Sequence, residues 1–246
     1  MRKSGLRIVL PLLLLIVSAA GAQAQDDMRS DFKMPCAQVL RLGQDRFMKV
    51  YGDKTQDYST AGQKMGFEYY VKCKRPANDE LAAKLLHPGN SLGNYEAQRS
   101  QIDDVREELN KYGESLWTLR YAEEGGGTMW GLVSVGAYAE REDFMETLIR
   151  TLAMSYRKSP LARKRVRANL ERIRRWLTSP NRKPWTDTED PNDVVTNKQL
   201  YRDTLKVTNE SLAHLQDILK DLPDAAAERL AARMAEETKD ALADSP

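Results

Sequence analysis

The stretch Ile102–Leu119, IDDVREELNKYGESLWTL, carries its apolar residues at Ile102, Val105, Leu109, Tyr112, Leu116 and Leu119. Those positions alternate three and four apart, the period of one face of an α-helix, and such a seam needs a partner helix to cover it. Helical signals continue on both sides. Pro35 opens a segment with Cys36, Leu40, Phe47 and Val50 in register, closing at Gly52. Ser59 or Thr60 caps a second segment that runs to about Arg75, with Met65, Tyr69 and Cys73 on one stripe. Asn78 then caps a short helix, Asp79 to Leu86, which His87-Pro88-Gly89 stops.

Gly125-Gly126-Gly127 ends the central seam in a tight turn, and Thr128 caps the next helix, Met129 to about Tyr156. Its first half is apolar nearly all round, which predicts the buried centre of the fold. Ser159-Pro160 starts a basic helix with a narrow stripe at Val166, Leu170, Ile173 and Leu177. Residues 179–196, rich in Pro, Asp, Asn and Thr, read as a linker. Thr196-x-x-Gln199 matches a capping box and opens a helix with Tyr201, Leu205, Leu212, Leu215, Leu219 and Leu222 in register. Pro223-Asp224 turns into a last, alanine-rich helix. With no alternating apolar–polar run, the expected class is all-α: a disulfide-stapled helical bundle with a basic helix and a C-terminal helical hairpin. The expected divisions are 1–24, a core at 25–156, the basic helix at 157–178, the linker at 179–196 and the hairpin at 197–246.

The first division is a leader. Arg2, Lys3 and Arg7 precede an apolar run, Ile8 to Val17, broken by Pro11, and Ala22-Gln23-Ala24 supplies small residues for cleavage. This pattern predicts a Sec-type signal peptide cut after Ala24 and a periplasmic or secreted mature chain. The two cysteines, Cys36 and Cys73, both follow the cut, and in an oxidising compartment an even pair reads as a disulfide. A redox-active or metal-binding pair is the rival, with no Cys-x-x-Cys spacing and only two histidines, His87 and His214, to support it.

Removing three leader bases leaves 35 Lys+Arg against 36 Asp+Glu, so no global charge draws the mature chain to nucleic acid, and no nucleic-acid partner is expected. The distribution is uneven. Arg157 to Trp176 holds nine bases and one acid, and Glu210 to Asp244 holds nine acids and four bases. Arg163, Lys164, Arg165, Arg167, Arg172, Arg174 and Arg175 surround the thin apolar stripe of the basic helix. Such a helix binds an anionic lipid surface or wall polymer, or else docks on the acidic hairpin of its own chain. The two apolar seams can likewise pair within one chain or between chains.

Enzymatic signals are thin. Two isolated histidines give little material for a nucleophile–base pair. Gly125-Gly126-Gly127-Thr128 lacks the Lys-Ser/Thr ending of a phosphate cradle and follows a helix. No cofactor or metal is expected. Paired carboxylates alone can hydrolyse glycosides. Glu140, Glu142 and Asp143, with Glu123 and Glu124, are the acids to weigh, against a plainer reading as a solvated turn balanced by Arg141.

A further set of residues has a family echo: Cys73 followed by Ala77-Asn78-Asp79-Glu80-Leu81, then Trp117, Arg120-Tyr121, Gly126-Gly127-Thr128-Met129 with Leu132, and Arg141-Glu142. From Cys73 to about Leu152, a third of the chain, this resembles the lysozyme-inhibitor LprI-like family of small exported bacterial proteins. Tyr and Arg stand in swapped order, and the family's later cysteine pair would fall near Gly125 and Ala137. The resemblance implies an exported helical domain and lysozyme binding, and supplies no catalytic residues; the wider expectation is a binding module for a protein or envelope component. Acids favour contact with a basic enzyme, which makes Glu123, Glu124, Glu140, Glu142 and Asp143 the expected partner-binding residues.

Overall fold

A computed structural model of the chain describes residues 32–87, 95–125, 130–154, 158–188 and 190–242. The expected leader, residues 1–24, and residues 126–129, with the expected Thr128 cap, lie outside these residues. Eight helices and no strand occur among them: α1 Cys36–Leu42, α2 Gln44–Thr55, α3 Thr60–Leu85, α4 Tyr95–Glu124, α5 Trp130–Met154, α6 Pro160–Leu177, α7 Pro191–Asp221 and α8 Asp224–Leu242.

The seam on α4 is the centre of the molecule. Ile102, Val105, Leu109, Tyr112, Leu116 and Leu119 are all buried. Helix α7 lies along α4, with Leu212, Leu215, Leu219 and Leu222 turned into the same cluster, and α5 and α8 close the other sides. Helix α6 packs on α8, where Ala226, Ala227 and Ala231 keep side chains short enough for close approach. The basic helix and the C-terminal hairpin therefore share one hydrophobic core with α4 and α5.

A smaller cluster forms at the other end. Met34, Val39, Phe47, Tyr51, Tyr70, Cys73 and Ala139 are buried there, and Phe32 packs edge-on against Tyr51 and Tyr69. The Tyr69 hydroxyl donates to the Met34 carbonyl at 2.8 Å. The Cys36–Cys73 disulfide, with Cα atoms 5.1 Å apart, ties the start of α1 to the middle of α3.

Four boundaries differ from the sequence expectation. The first segment breaks at Gly43, whose φ of +74° suits glycine, and Gly52 lies inside α2 with the Tyr58 ring against its α-carbon. The second segment does not stop at Arg75; α3 runs through Pro76 as one helix of 26 residues. Proline in a helix interior costs about 3 kcal/mol. Tyr70, Lys74, Asn78 and Ala82, four residues apart on both sides of it, are all buried, and α3 packs against α5. That shared face holds the helix together, so Asn78 is no cap. On α5 the buried residues begin at Ala139, and the apolar first half is only half-covered, so the predicted centre is displaced to the second half.

The last difference is in the linker. Helix α7 starts at Pro191 with the Asp190 side chain accepting from the Asn192 amide, so Thr196 and Gln199 lie within it. The shorter segment before it is a strap. The Trp185 amide donates to the Ala122 carbonyl at 2.8 Å, and the Asn197 side chain bridges the Ala122 and Trp185 carbonyls at 2.6 and 2.7 Å. Gly125, at φ +78°, donates to Tyr121 and leaves room for the Trp185 ring, which a Cβ would meet at 2.4 Å. Two of the orphan carbonyls at the end of α4 are satisfied in this way.

Replacing Cys36 and Cys73 by serine opens a loop of 37 residues' separation, worth about 4 kcal/mol of denatured-state entropy. Amide exchange should rise in α1, α2 and the first half of α3 while α4 stays protected, since its cluster lacks the bridge. An equal rise along α4 would show that the two clusters are one cooperative unit.

Candidate functional site

The charged residues fall into an inner set, consumed by contacts between helices, and an outer set on α6. The inner set begins on α3. The Tyr70 hydroxyl donates to Asp143 at 2.6 Å, and Lys74 reaches Glu146 at 2.6 Å and Asp143 at 2.9 Å. Burial pushes the Tyr70 hydroxyl far up, reinforced by its bond to Asp143. Burial works against the Lys74 ammonium, yet Glu146 and Asp143 together raise it, and the Lys74 bond holds Glu146 below the usual carboxylate range.

One turn on, Asn78 Nδ2 donates to the Glu142 carbonyl at 2.7 Å and to Glu142 Oε2 at 3.0 Å. Arg106 of α4 bonds Asp79 at 2.8 Å and brings its Nε to 3.4 Å from Glu142 Oε1. Glu142 is 1% exposed, and burial raises its carboxyl against the pull of Arg106. The plainer reading of Glu140, Glu142 and Asp143 as a solvated turn does not hold: they lie mid-helix on α5.

A second ion pair crosses α4. Arg141, 2% exposed, directs its Nε to both Glu237 oxygens at 3.0 Å, and Glu237 of α8 is 4% exposed. Arg233 reaches the same carboxylate at 3.0 Å and Glu140 at 3.1 Å. Burial raises Glu237 despite both guanidiniums. The pair lies over Gly113, where a Cβ would stand 2.0 Å from Arg141 Nη2 and 2.3 Å from Glu237 Oε2. Beside it the Tyr112 hydroxyl meets Thr238 Oγ1 at 2.7 Å.

The five acids expected at a partner surface are thus drawn to separate partners. Glu123 pairs with Arg182 and Glu124 with Arg120 at 2.8 Å. Glu140 faces Arg233 on α8, Glu142 faces Asn78 and Arg106, and Asp143 faces Tyr70 and Lys74 on α3. They do not converge on one cleft. No group of three or more His, Cys, Asp or Glu among the described residues is arranged to hold a metal ion.

The cations of α6 divide by side. Arg163 donates to the Leu219 and Leu222 carbonyls, both at 2.7 Å, and pairs with Asp224, which also accepts from the Ser159 amide. That arginine satisfies the end of α7 and ties it to the starts of α6 and α8. Arg165 pairs with Glu228 at 2.6 Å, and Arg174 donates to Gln216 at 3.2 Å. Lys164, Arg167, Arg172 and Arg175 are exposed and form no ion pair among the described residues.

Sequence reasoning missed Lys74, Asn78, Arg106 and Glu237 as buried groups, and Arg233 as a partly buried one. The four-residue spacing of Tyr70, Lys74, Asn78 and Ala82, and a glycine inside the central helix at 113, were the available signals. The chain matches no protein-family model, and no curated protein and no solved structure matches it.

Gly113→Ala tests the crossing. Helix propensity alone favours alanine by about 1 kcal/mol, but the added methyl displaces a buried ion pair, and overpacking of this kind costs about 1–3 kcal/mol net. The melting temperature should fall. In an Arg141→Met/Glu237→Leu background the same change should cost nothing, since no charges lie over the site. A rise in melting temperature in the unaltered background would place the pair elsewhere.

Proposed function

We propose that this chain is a non-enzymatic, exported helical binding protein that docks on an anionic envelope surface through the outer side of α6. The observation that carries the reading is the division of that helix. Arg163, Arg165 and Arg174 are held by the C-terminal helices, while Lys164, Arg167, Arg172 and Arg175 are left exposed without partners. Helical geometry sets Lys164 and Arg175 opposite the buried stripe. Leu161, 57% exposed in the first turn, adds an apolar contact on the outward side.

The leader-like N-terminus and the disulfide support the exported location. No described helix is long and apolar enough to cross a membrane, and the reading is of surface attachment. Each Lys or Arg near an anionic leaflet contributes about 1 kcal/mol. Four such cations plus one leucine give a weak, reversible, salt-sensitive affinity.

A lysozyme-inhibitor-like role is the second reading. It is favoured by the bonds that join Asn78 to Glu142, two residues of the family resemblance, across α3 and α5. The exposed members of the acid set, Glu124, Glu140 and Asp143, are its available contacts.

Two measurements separate the readings. The mature chain should sediment with phosphatidylglycerol vesicles, not with phosphatidylcholine, and release by about 0.5 M salt, where screening is nearly complete. Lys164→Glu/Arg175→Glu should abolish sedimentation; binding that ignores both salt and this variant sinks the proposal. In a turnover assay the second reading expects slowed lysozyme, relieved by Glu124→Ala/Glu140→Ala/Asp143→Ala, and an unslowed enzyme excludes it.

A further inference from the structure

Helices α5, α6 and α8 leave a groove of about 560 Å³ between them, large enough for one to three sugar rings. Its α6 wall is Asn169, Arg172 and Trp176, spaced three and four apart on the flank of the helix that faces α8. Its α8 wall is that helix's exposed side, with Arg229 and Lys239 at opposite ends and Ala232 between them as a low floor. Phe144 of α5 closes one side.

The hydrogen-bonding groups here differ from those elsewhere on the molecule. Arg233 is spent on Glu140, Glu236 and Glu237, which also consumes Glu236. Arg172, Arg229 and Lys239 form no ion pair among the described residues, and neither Asn169 nor the Asp240 carboxylate is engaged by a side chain there. The groove thus holds three free cations, one free acid and one free amide beside two partly exposed aromatic rings.

We infer that this groove binds an anionic saccharide: a short run of hexose rings carrying phosphate or carboxylate groups. A hexose presents a face of C–H bonds that lies flat on an aromatic ring, and Trp176 and Phe144 supply such surfaces. Its hydroxyls both donate and accept, matching the Asn169 amide and the Asp240 carboxylate. Its acidic groups meet Arg172, Arg229 and Lys239 in charge-assisted bonds. An acyl chain fits poorly, because the apolar lining is two ring faces and two alanines between charges. A bare phosphate would leave the rings unused.

This inference rests on the reading of the chain as an exported binding protein but draws on a different flank of α6, which shares only Arg172 with the vesicle-docking side. The test titrates the disulfide-intact mature chain by calorimetry with trigalacturonate (carboxylate), glucose 1-phosphate (phosphate), neutral maltotriose and inorganic phosphate. At least one anionic sugar should bind about tenfold or more tightly than both maltotriose and phosphate, the scale of one lost charge-assisted bond. Which of the two does so identifies the acidic group.

Trp176→Ala and Arg229→Ser should each weaken that binding about tenfold. Arg229 is exposed, so its variant folds even where loss of Trp176 loosens the core. Lys164→Glu/Arg175→Glu should leave sugar binding intact while removing vesicle binding, which keeps the two proposals apart. Binding of neither anionic sugar, equal binding of inorganic phosphate, or affinity unchanged in Arg229→Ser would overturn the assignment.

Discussion

The contact between Arg141 and Glu237, laid across the bare backbone of Gly113, is the constraint on which the arrangement of three helices depends. Each charge is almost wholly removed from water, and desolvation costs several kcal/mol per ion. Close approach offsets part of that cost: the single Nε–H of Arg141 is shared between both Glu237 oxygens at 3.0 Å and Arg233 meets the same carboxylate, while Arg141 Nη1 and Nη2 have no hydrogen-bond partner among the described residues. A side chain at 113 would occupy the same space. The face of α8 around this point is rich in alanine, and short apolar side chains pack nearly as well after a slip of one turn. A buried charge is satisfied in one register alone. The pair therefore fixes how α5 and α8 sit on α4, a role in specificity for which buried polar groups are best attested.

The second polar layer does related work at the other end of α5. Lys74 and Asn78 project from α3 to meet Asp143, Glu146 and Glu142, and Arg106 enters from α4. Helix α3 is held to α5 through the proline that should weaken it. The disulfide adds a covalent tie at Cys73, the residue before Lys74, so the weakest point of α3 is flanked by bonds on both sides. These contacts also engage the acids on α5: Asp143, Glu146 and Glu142 each face a cation or amide of a neighbouring helix.

What the sequence revealed and what it concealed follow from one physical rule. Apolar periodicity stands in for burial, and it worked at the 102–119 seam, the leucines at 212–222, the stripe of α6 and the all-helical class, though the apolar first half of α5 is only half-covered. It failed where buried positions are charged. Lys74 and Asn78 occupy core positions on α3, but their polarity reads as surface and makes Pro76 look like a stop. Glu142 and Arg141 read as a solvated turn for the same reason. At the start of α7, two capping signals compete. Asp190-Pro191 prevails over Thr196-x-x-Gln199, and Asn197, nearly two turns inside the helix, is needed to hold the strap over α4. That demand comes from tertiary structure and has no local signature.

Charge balance over the whole chain hides how unevenly charge is placed on its surface. Bases and acids nearly cancel, 38 Lys+Arg against 36 Asp+Glu, yet cancellation in a sum differs from cancellation in space. Glu123, Glu140, Glu142, Asp143, Glu146, Asp224, Glu228 and Glu237 each neutralise a cation at an interface between elements and contribute little field outside. The cations of α6 that lack such partners then stand out in full. Internal docking and external binding are rivals only while the helix is treated as one object. Its Arg163 side clamps the ends of α7 and α8, and by clamping them it turns Lys164 and Arg175 outward. The stability of the C-terminal hairpin and the orientation of the free cations are consequences of the same few bonds, so a change that loosens Arg163 from Asp224 blurs the direction of the charge before it removes any of it.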